Sequence, residues 1–349
     1  METKKQKRIP LWGALLIDLV CLLVLAGLLT SYFVFLPVTA VGTYIEHDVP
    51  FAAFDLPISG ENIEEQLKTL VLAGKTGDAK REVIGVYADD EKQMVLTKNE
   101  LGEGDQKITF YAADVFVISA EVLRTNVSVD EENEVDNRPV LSQSKDVNAL
   151  FAITGDTFSM SKDGVIIRNG YLYRDDLRTA NDIGVLCADG TLQIVEKRDY
   201  LTIEDIVNMG AWQVWTFGPS LLDDNGKPKR KFNIAGSHLS DLEEEHPRTA
   251  MGMVEPGHYV FVLADGRDVG YSKGATFPEL AEIMVNEGCT VAYNLDGGRS
   301  AVMTYAEDGK QAVVNKPYKN GRGISDIVYI PLAAVFSGTD PQEGASENE

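Results

Sequence analysis

Four stretches of this chain set polar or charged side chains beside glycines where an apolar run stops. They are Phe151-Ala-Ile-Thr-Gly-Asp-Thr-Phe158, Trp215-Thr-Phe-Gly-Pro-Ser220, His246-Pro-Arg-Thr-Ala-Met-Gly252 leading through a strand to Ala264-Asp-Gly-Arg267, and Asn294-Leu-Asp-Gly-Gly-Arg-Ser300. A strand end beside glycine lets a ligand approach the backbone closely, while the rigid sheet holds neighbouring side chains in position. Two carboxylates stand there, Asp156 and Asp296, able to act as nucleophile, base or electrostatic partner. Two guanidiniums, Arg248 and Arg267, offer forked donors of the kind that suit a phosphate. Asn294, Thr249 and Ser300 add groups that could orient hydroxyls or carboxylates. Taken singly, each stretch reads first as a turn. Asp-Gly is a strong hairpin signal, and Asp265-Gly266 or Asp296-Gly297 alone fits one.

The elements that must carry these groups are mostly short strands. Apolar runs bounded by Gly, Asp and Asn occur at 82–87, 93–97, 107–110 and 115–119, then at 151–154, 165–167, 184–187, 192–195, 214–217, 259–264, 291–295 and 327–330. Two convincing helices interrupt them. One spans 202–209, with Thr202 as cap and Gly210 as stop. The other spans 277–287, with Thr276 and Glu279 forming a capping box and Gly288 ending it. A further amphipathic stretch lies near 63–72, and the acidic run 129–139 suits a solvated loop. Many strands, few helices and no regular βαβ alternation predict an α+β fold around a mixed or mostly antiparallel central sheet.

Charge sets the class of partner. The chain has 349 residues with 32 Lys plus Arg against 54 Asp plus Glu, a formal net charge of −22. Such an excess argues against nucleic acid, whose phosphates need Lys and Arg. Against that background Lys4, Lys5, Lys7 and Arg8 stand out, because the apolar run Leu11–Leu36 follows them. It exceeds the about 20 residues a spanning helix needs, and the positive-inside rule keeps the basic end in the cytoplasm. The predicted order is a basic cytoplasmic tail (1–10), a transmembrane anchor (11–36), a lead-in (37–80), an extracytoplasmic domain (81–333) and an acidic disordered tail (334–349). Cys187 and Cys289 could pair or remain buried thiols, and the four histidines have no zinc-ligand spacing.

Taken together, the order ITGDTF, FGPSLL, HPRTAMG, LADGR, GYSKGATFPELAEIMVNEGC, AYNLDGGRS and a closing ISDIVYI resembles the phosphodiester glycosidase family over roughly 112–331. The resemblance implies hydrolysis of the bond between a sugar's anomeric carbon and a phosphodiester, here in a surface phosphoglycan. It makes Asp156 and Asp296 the catalytic carboxylates around an oxocarbenium-like state. Arg248 and Arg267 would then hold the phosphate, with Thr249, Asn294, Ser300, Gly218, Gly297 and Gly298 around the substrate. No cofactor is implied; Asp156 and Asp296 could bind a divalent cation, although ligand spacing does not indicate one.

Two motifs depart from the family pattern, at three positions. Thr154 stands where Asn-Gly-Asp or Asn-Gly-Gly is usual, and Arg299 with Ala301 interrupts an Asp-Gly-Gly-Gly-Ser-Ser run. Arg299 could fill the sugar pocket or recognise a more anionic substrate. A non-catalytic glycan-binding or assembly protein of exopolysaccharide biosynthesis, or a glycosyl transferase, therefore stands as the alternative.

Overall fold

The computed structural model describes residues 42–129, 134–160, 163–178, 181–196, 201–232 and 243–336. The anchor predicted at 11–36 and all but the start of the predicted acidic tail lie outside these residues. Among the described residues, no helix is long and apolar enough to cross a membrane.

In chain order the strands begin with β1 (Thr43–Tyr44), β2 (Lys80–Ala88), β3 (Lys92–Leu101), β4 (Ile108–Val117), β5 (Arg124–Val127) and β6 (Ala149–Thr154). They continue as β7 (Gly164–Arg168), β8 (Tyr171–Asp176), β9 (Ile183–Cys187), β10 (Leu192–Val195) and β11 (Ala211–Trp215). The remainder are β12 (Arg248–Glu255), β13 (His258–Ala264), β14 (Val291–Leu295), β15 (Met303–Glu307), β16 (Lys310–Val313) and β17 (Asp326–Pro331). Four helices are described: α1 (Ile63–Ala73), α2 (Val140–Asp146), α3 (Ile203–Asn208) and α4 (Phe277–Asn286).

The strands form three sheets in place of one central sheet, with orders β1-β8-β7-β11-β9-β10, β14-β12-β13-β4-β3-β2 and β16-β15-β6-β17-β5. Each strand pairing within them is antiparallel. Alternation along the strands explains how the sheets assemble. In β4, Tyr111, Ala113 and Val115 point into a core shared by all three sheets. Ile108, Phe110 and Ala112 point the other way, onto Phe277, Leu280, Ile283 and Met284 of α4. With both faces covered, β4 reads as a near-continuous apolar run. Helix α3 likewise covers the outer face of the first sheet through Ile206, and α2 covers the third through Val140.

Local signals fix the helix ends. Thr276 accepts from Glu279 N while the Glu279 side chain accepts from Thr276 N, and Thr202 with Asp205 does the same for α3. Both capping boxes satisfy N–H groups that the first turn leaves without partners.

Residues 42–80 are woven into the same compact unit. Ala52 N donates to Ala188 O at 3.0 Å, Phe54 N donates to Ile118 O at 2.8 Å, and β1 pairs with β8. The only acidic residue within β4, Asp114, is buried, and it is matched by Lys75 Nζ at 2.6 Å and His258 Nε2 at 2.9 Å. Cys187 and Cys289 are buried free thiols.

One tight contact keeps α4 against the second sheet. A Cβ on Gly252 of β12 would stand 2.6 Å from Cys289 Sγ and 2.7 Å from Met284 Cε. Gly252→Ala therefore forces the helix outward, and we expect a loss of about 1–3 kcal/mol. Urea unfolding followed by tryptophan fluorescence checks this; an unchanged midpoint would disprove it.

Candidate active site

The ends of β6, β7, β11 and β14 and the start of β17 converge on one seam between the sheets. Backbone bonds close it. Gly155 N donates to Asp326 O at 3.2 Å, and Asp296 N donates to Gly155 O at 3.0 Å. The strand-end glycine is required there, because a Cβ on Gly155 would lie 2.4 Å from Asp326 Oδ1.

Three carboxylates meet at this seam. Asp156 is buried; its Oδ2 accepts from Thr216 N at 3.0 Å and faces Arg168 Nη2 at 3.7 Å. Asp326, wholly buried, accepts from Asp156 N at 2.6 Å through Oδ1 and from Arg168 Nε at 2.5 Å through Oδ2. Arg168 also donates to the carbonyls of Ile167 and Val214, and its guanidinium lies near the rings of Phe158 and Trp215. Burial, with the charge of Asp156 adding to it, pushes the Asp326 carboxyl up to about 6 against the pull of Arg168. The folded carboxyl thus keeps its proton where the unfolded chain has released it. On its account, stability falls as pH rises from about 4 through about 6.

Asp296 sits nearer the surface, 6% exposed. Arg322 binds both it and its neighbour: Nη2 reaches Asp296 Oδ2 at 3.2 Å and Nε reaches Ser300 Oγ at 2.9 Å. Burial raises the Asp296 carboxyl, and the charge of Asp156 adds to that, while hydrogen bonds from Ser300 and Arg322 pull it down. The two sequence-predicted carboxylates therefore sense each other's charge. Among the described residues, no group of three or more His, Cys, Asp or Glu is arranged to hold a metal.

The remaining predicted residues divide. Gly297 and Gly298 pack on the loop before β12: Gly298 N donates to Pro247 O at 2.7 Å, and a Cβ on Gly297 would lie 2.7 Å from that oxygen. Arg267 lies beside Gly298 and stacks over the Tyr318 ring at 5.3 Å. Its Nε donates to His246 Nδ1 at 3.3 Å, and His246 Nε2 lies 3.0 Å from Glu244. Burial, then Arg267 and Arg248, push His246 down, while Glu245 O, 2.9 Å from Nδ1, and the charge of Glu244 pull it back up.

Arg248, the other expected phosphate ligand, lies beside the seam. It extends the register that pairs Thr249 with Leu295, which puts it at the end of β12 beside Asp296. Yet its Nε donates to Ala275 O, its Nη2 donates to Glu244 O, and its guanidinium lies 4.2 Å from the Phe277 ring centre. These bonds anchor the loop before β12. Asn294 and Gly218 bond to each other, Nδ2 to carbonyl at 2.8 Å, and so join the first two sheets. Buried Thr249 Oγ1 and Asn294 Oδ1 take no hydrogen-bond partner among the described residues.

The two departures have local explanations. Thr154 is buried, donating to Ser300 O and accepting from Val302 N at 3.1 Å, so its hydroxyl ties β6 to the Ser300 loop. Arg299 is exposed, with Nε donating to Gly321 O at 2.9 Å, and it does not bury itself beside Asp296.

Arg168, Thr216, Arg322 and Asp326 are functional groups that sequence reasoning missed. Asp326 lay within the ISDIVYI motif, and Arg322 is flanked by two glycines, so both carried a usable signal. Arg168 sits in an unremarkable strand, and Thr216 contributes only its backbone N–H.

At the end of β13, buried Asp265 collects Asn315 Nδ2 at 2.8 Å, Lys316 N at 2.9 Å and Tyr271 Oη at 3.0 Å. It thereby ties the 266–274 and 314–322 loops that flank the seam.

A family model described as phosphodiester glycosidase matches residues 147–331. The SPbeta prophage-derived uncharacterized protein YomE of Bacillus subtilis (strain 168) is 27% identical over 63% of this chain, and the chain spans 36% of that protein's length. The catalytic domain of zebrafish N-acetylglucosamine-1-phosphodiester alpha-N-acetylglucosaminidase, auto-inhibited by pro-peptide, superposes with a TM-score of 0.55 at 19% identity, over 74% of this chain and 90% of that one. A hypothetical protein from Synechocystis gives a TM-score of 0.50 at 11% identity, over 68% and 61% respectively. At these identities the two structures speak to the fold.

Removing Arg168 strands two buried carboxylates. We expect Arg168→Met to cost about 3–5 kcal/mol at pH 8 and less at pH 5, where the orphaned carboxyls escape by taking protons. Denaturant midpoints at both pH values decide; an equal loss at each would disprove the account.

Proposed function

The chain belongs to the phosphodiester glycosidase family, and from that premise we propose that it hydrolyses a sugar-1-phosphodiester at the Asp156–Asp296 seam. The carrying observation is Asp296. It is a strand-end carboxylate at the mouth, bracketed by Ser300 and Arg322, within electrostatic reach of Asp156.

The bond between the anomeric carbon and the phosphate oxygen breaks, and its electron pair leaves with the phosphate. Water supplies the hydroxyl that completes the free sugar, and the proton it loses passes to Asp296 or to the departing phosphate. Positive charge on the ring carbon is greatest at the transition state, where carboxylates on the seam stabilise it. A phosphomonoester, with a second pKa near 6, is a far easier leaving group than a sugar alkoxide, so strong acid assistance is not required. Arg322 and Arg267 are the guanidiniums aimed at that phosphate, taking over the role that the sequence suggested for Arg248. Asp326 and Arg168 do not touch the substrate in this scheme; they hold Asp156 by both its N–H and its charge.

The outward bond of Arg299 to Gly321 supports catalysis over the binding-only alternative, which called for an arginine filling the sugar pocket. The anchor expected at 11–36 would set this reaction on an extracytoplasmic glycan.

We expect the full chain, in detergent, to release free sugar from an N-acetylglucosamine-1-phosphodiester or UDP-N-acetylglucosamine. Asp296→Asn and Asp156→Asn should each lower kcat about 10²–10⁴-fold with thermal unfolding little changed. Sugar release that survives both substitutions would sink the assignment. A pH profile tests the role of Arg322. Asp296 must be ionised to act as base or nucleophile, so activity falls on the acid side. Arg322→Met removes a group that holds its carboxyl down, and the acid limb of kcat should move to higher pH. An unmoved limb would remove Asp296 from that role.

A further inference from the structure

Beyond Arg322 and Arg267, which the glycosidase reading gives to the first phosphate, the mouth carries two further cations, Arg299 and Lys319. Arg267, Arg299 and Lys319 are exposed. Arg267 and Lys319 lie over the Tyr318 ring, 5.3 and 5.2 Å from its centre. Arg299 binds Gly321 O, one residue before Arg322, and Gly298 separates Arg299 from the Arg267 guanidinium.

Among the described residues, none of these three cations has a carboxylate partner. The carboxylates at this end are engaged elsewhere: Asp268 by Lys316 at 2.5 Å, Glu245 by Lys273 at 2.8 Å, Glu244 by His246 and Asp296 by Arg322. Like charges so grouped repel unless an anion joins them. In a chain with 54 acidic and 32 basic residues the grouping is against composition.

The backbone supplies an independent sign. Arg267, Lys319 and Asn320 all hold left-handed conformations, with φ of 59°, 50° and 61°. Non-glycine residues adopt these at a cost, and such residues cluster at ligand sites. Two of the three cations therefore sit on strained backbone.

We propose that Arg299 and Lys319, with Arg267 between them and the seam, form a second anion subsite, and that the preferred substrate is a repeating sugar phosphodiester whose next phosphate occupies it. This rests on the glycosidase reading for the first phosphate, and it adds the substrate class. Each guanidinium would give paired N–H donors to a phosphate oxygen pair, and Lys319 a mobile point charge.

Binding separates this inference from catalysis. The full chain bearing Asp296→Asn together with Asp156→Asn, which slows turnover below the time of the titration, is titrated calorimetrically with two probes. One is methyl N-acetylglucosamine-1-phosphate; the other is a synthetic trimer of N-acetylglucosamine joined by 1-phosphodiesters. We expect the trimer to bind about tenfold tighter at low salt, an advantage that shrinks as salt rises. Arg299→Gly with Lys319→Ala should bring the trimer advantage to about twofold or less. Equal affinity for the two probes, no binding of either, or an advantage that survives the double substitution would overturn the subsite. So would a linear polyphosphate of the same charge binding as tightly as the trimer. Failure of the reaction itself shows separately, as no sugar released from the methyl ester by the unsubstituted chain.

Discussion

The Arg168–Asp326 pair is the interaction on which the site depends. Both side chains are fully withdrawn from water, and neither would be tolerated there alone. One guanidinium meets a carboxylate from β17, the carboxylate of Asp156 after β6, and the carbonyl of Val214 in β11. One ion pair thus fixes strand ends from two sheets. Asp296 then joins through Gly155, bringing in the remaining sheet, that of β14, by a single backbone bond. A hydrophobic replacement of equal volume could hold the sheets together, but it could not give Asp156 a directional N–H acceptor and a counter-charge at once.

Much of the fold was legible because its signals are local. The capping boxes of α3 and α4 need only four residues each, and the structure contains both. What local signals lack is pairing. Runs at 107–110 and 115–119 suggested two strands, since Ala112, Ala113 and Asp114 are weak strand formers. They are one strand, β4, because both faces are buried and Lys75, distant in sequence, neutralises Asp114. Helix α2 gave no signal, as Val140-Leu-Ser-Gln-Ser-Lys-Asp146 has no side-chain cap and little apolar character. Its place comes from packing of Val140 and from Gln143, which donates to the carbonyls of Arg138 and Ile324. Division into three sheets likewise follows from which strand ends fit together, and no stretch of sequence states that.

The site shows the same division. Asp156 and Asp296 stood out because each ends a strand beside glycine, and each glycine neighbour makes room for a carbonyl or carboxylate. Arg248 stood out for its charge and motif, yet the ring of Phe277 and two carbonyls claim that charge, and only the folded chain brings those groups together. Arg322 and Asp326 carried motif signals, but their roles could not be read because their partners lie 26 and 158 residues away. A charged residue announces its valence in the sequence, but its partner is set by topology.

The carboxylate of Asp265 has a consequence beyond geometry. Through Tyr271 on one side and Asn315 and Lys316 on the other, it couples the loop carrying Arg267 to the loop carrying Lys319 and Arg322. The two jaws of the mouth are therefore hinged on a common rivet and cannot drift apart independently. A lengthened or shortened loop on one side would need a compensating change on the other. Diversification of what this mouth accepts should therefore proceed by exchanging side chains along fixed loops, as at Arg267 and Lys319, more readily than by inserting new ones.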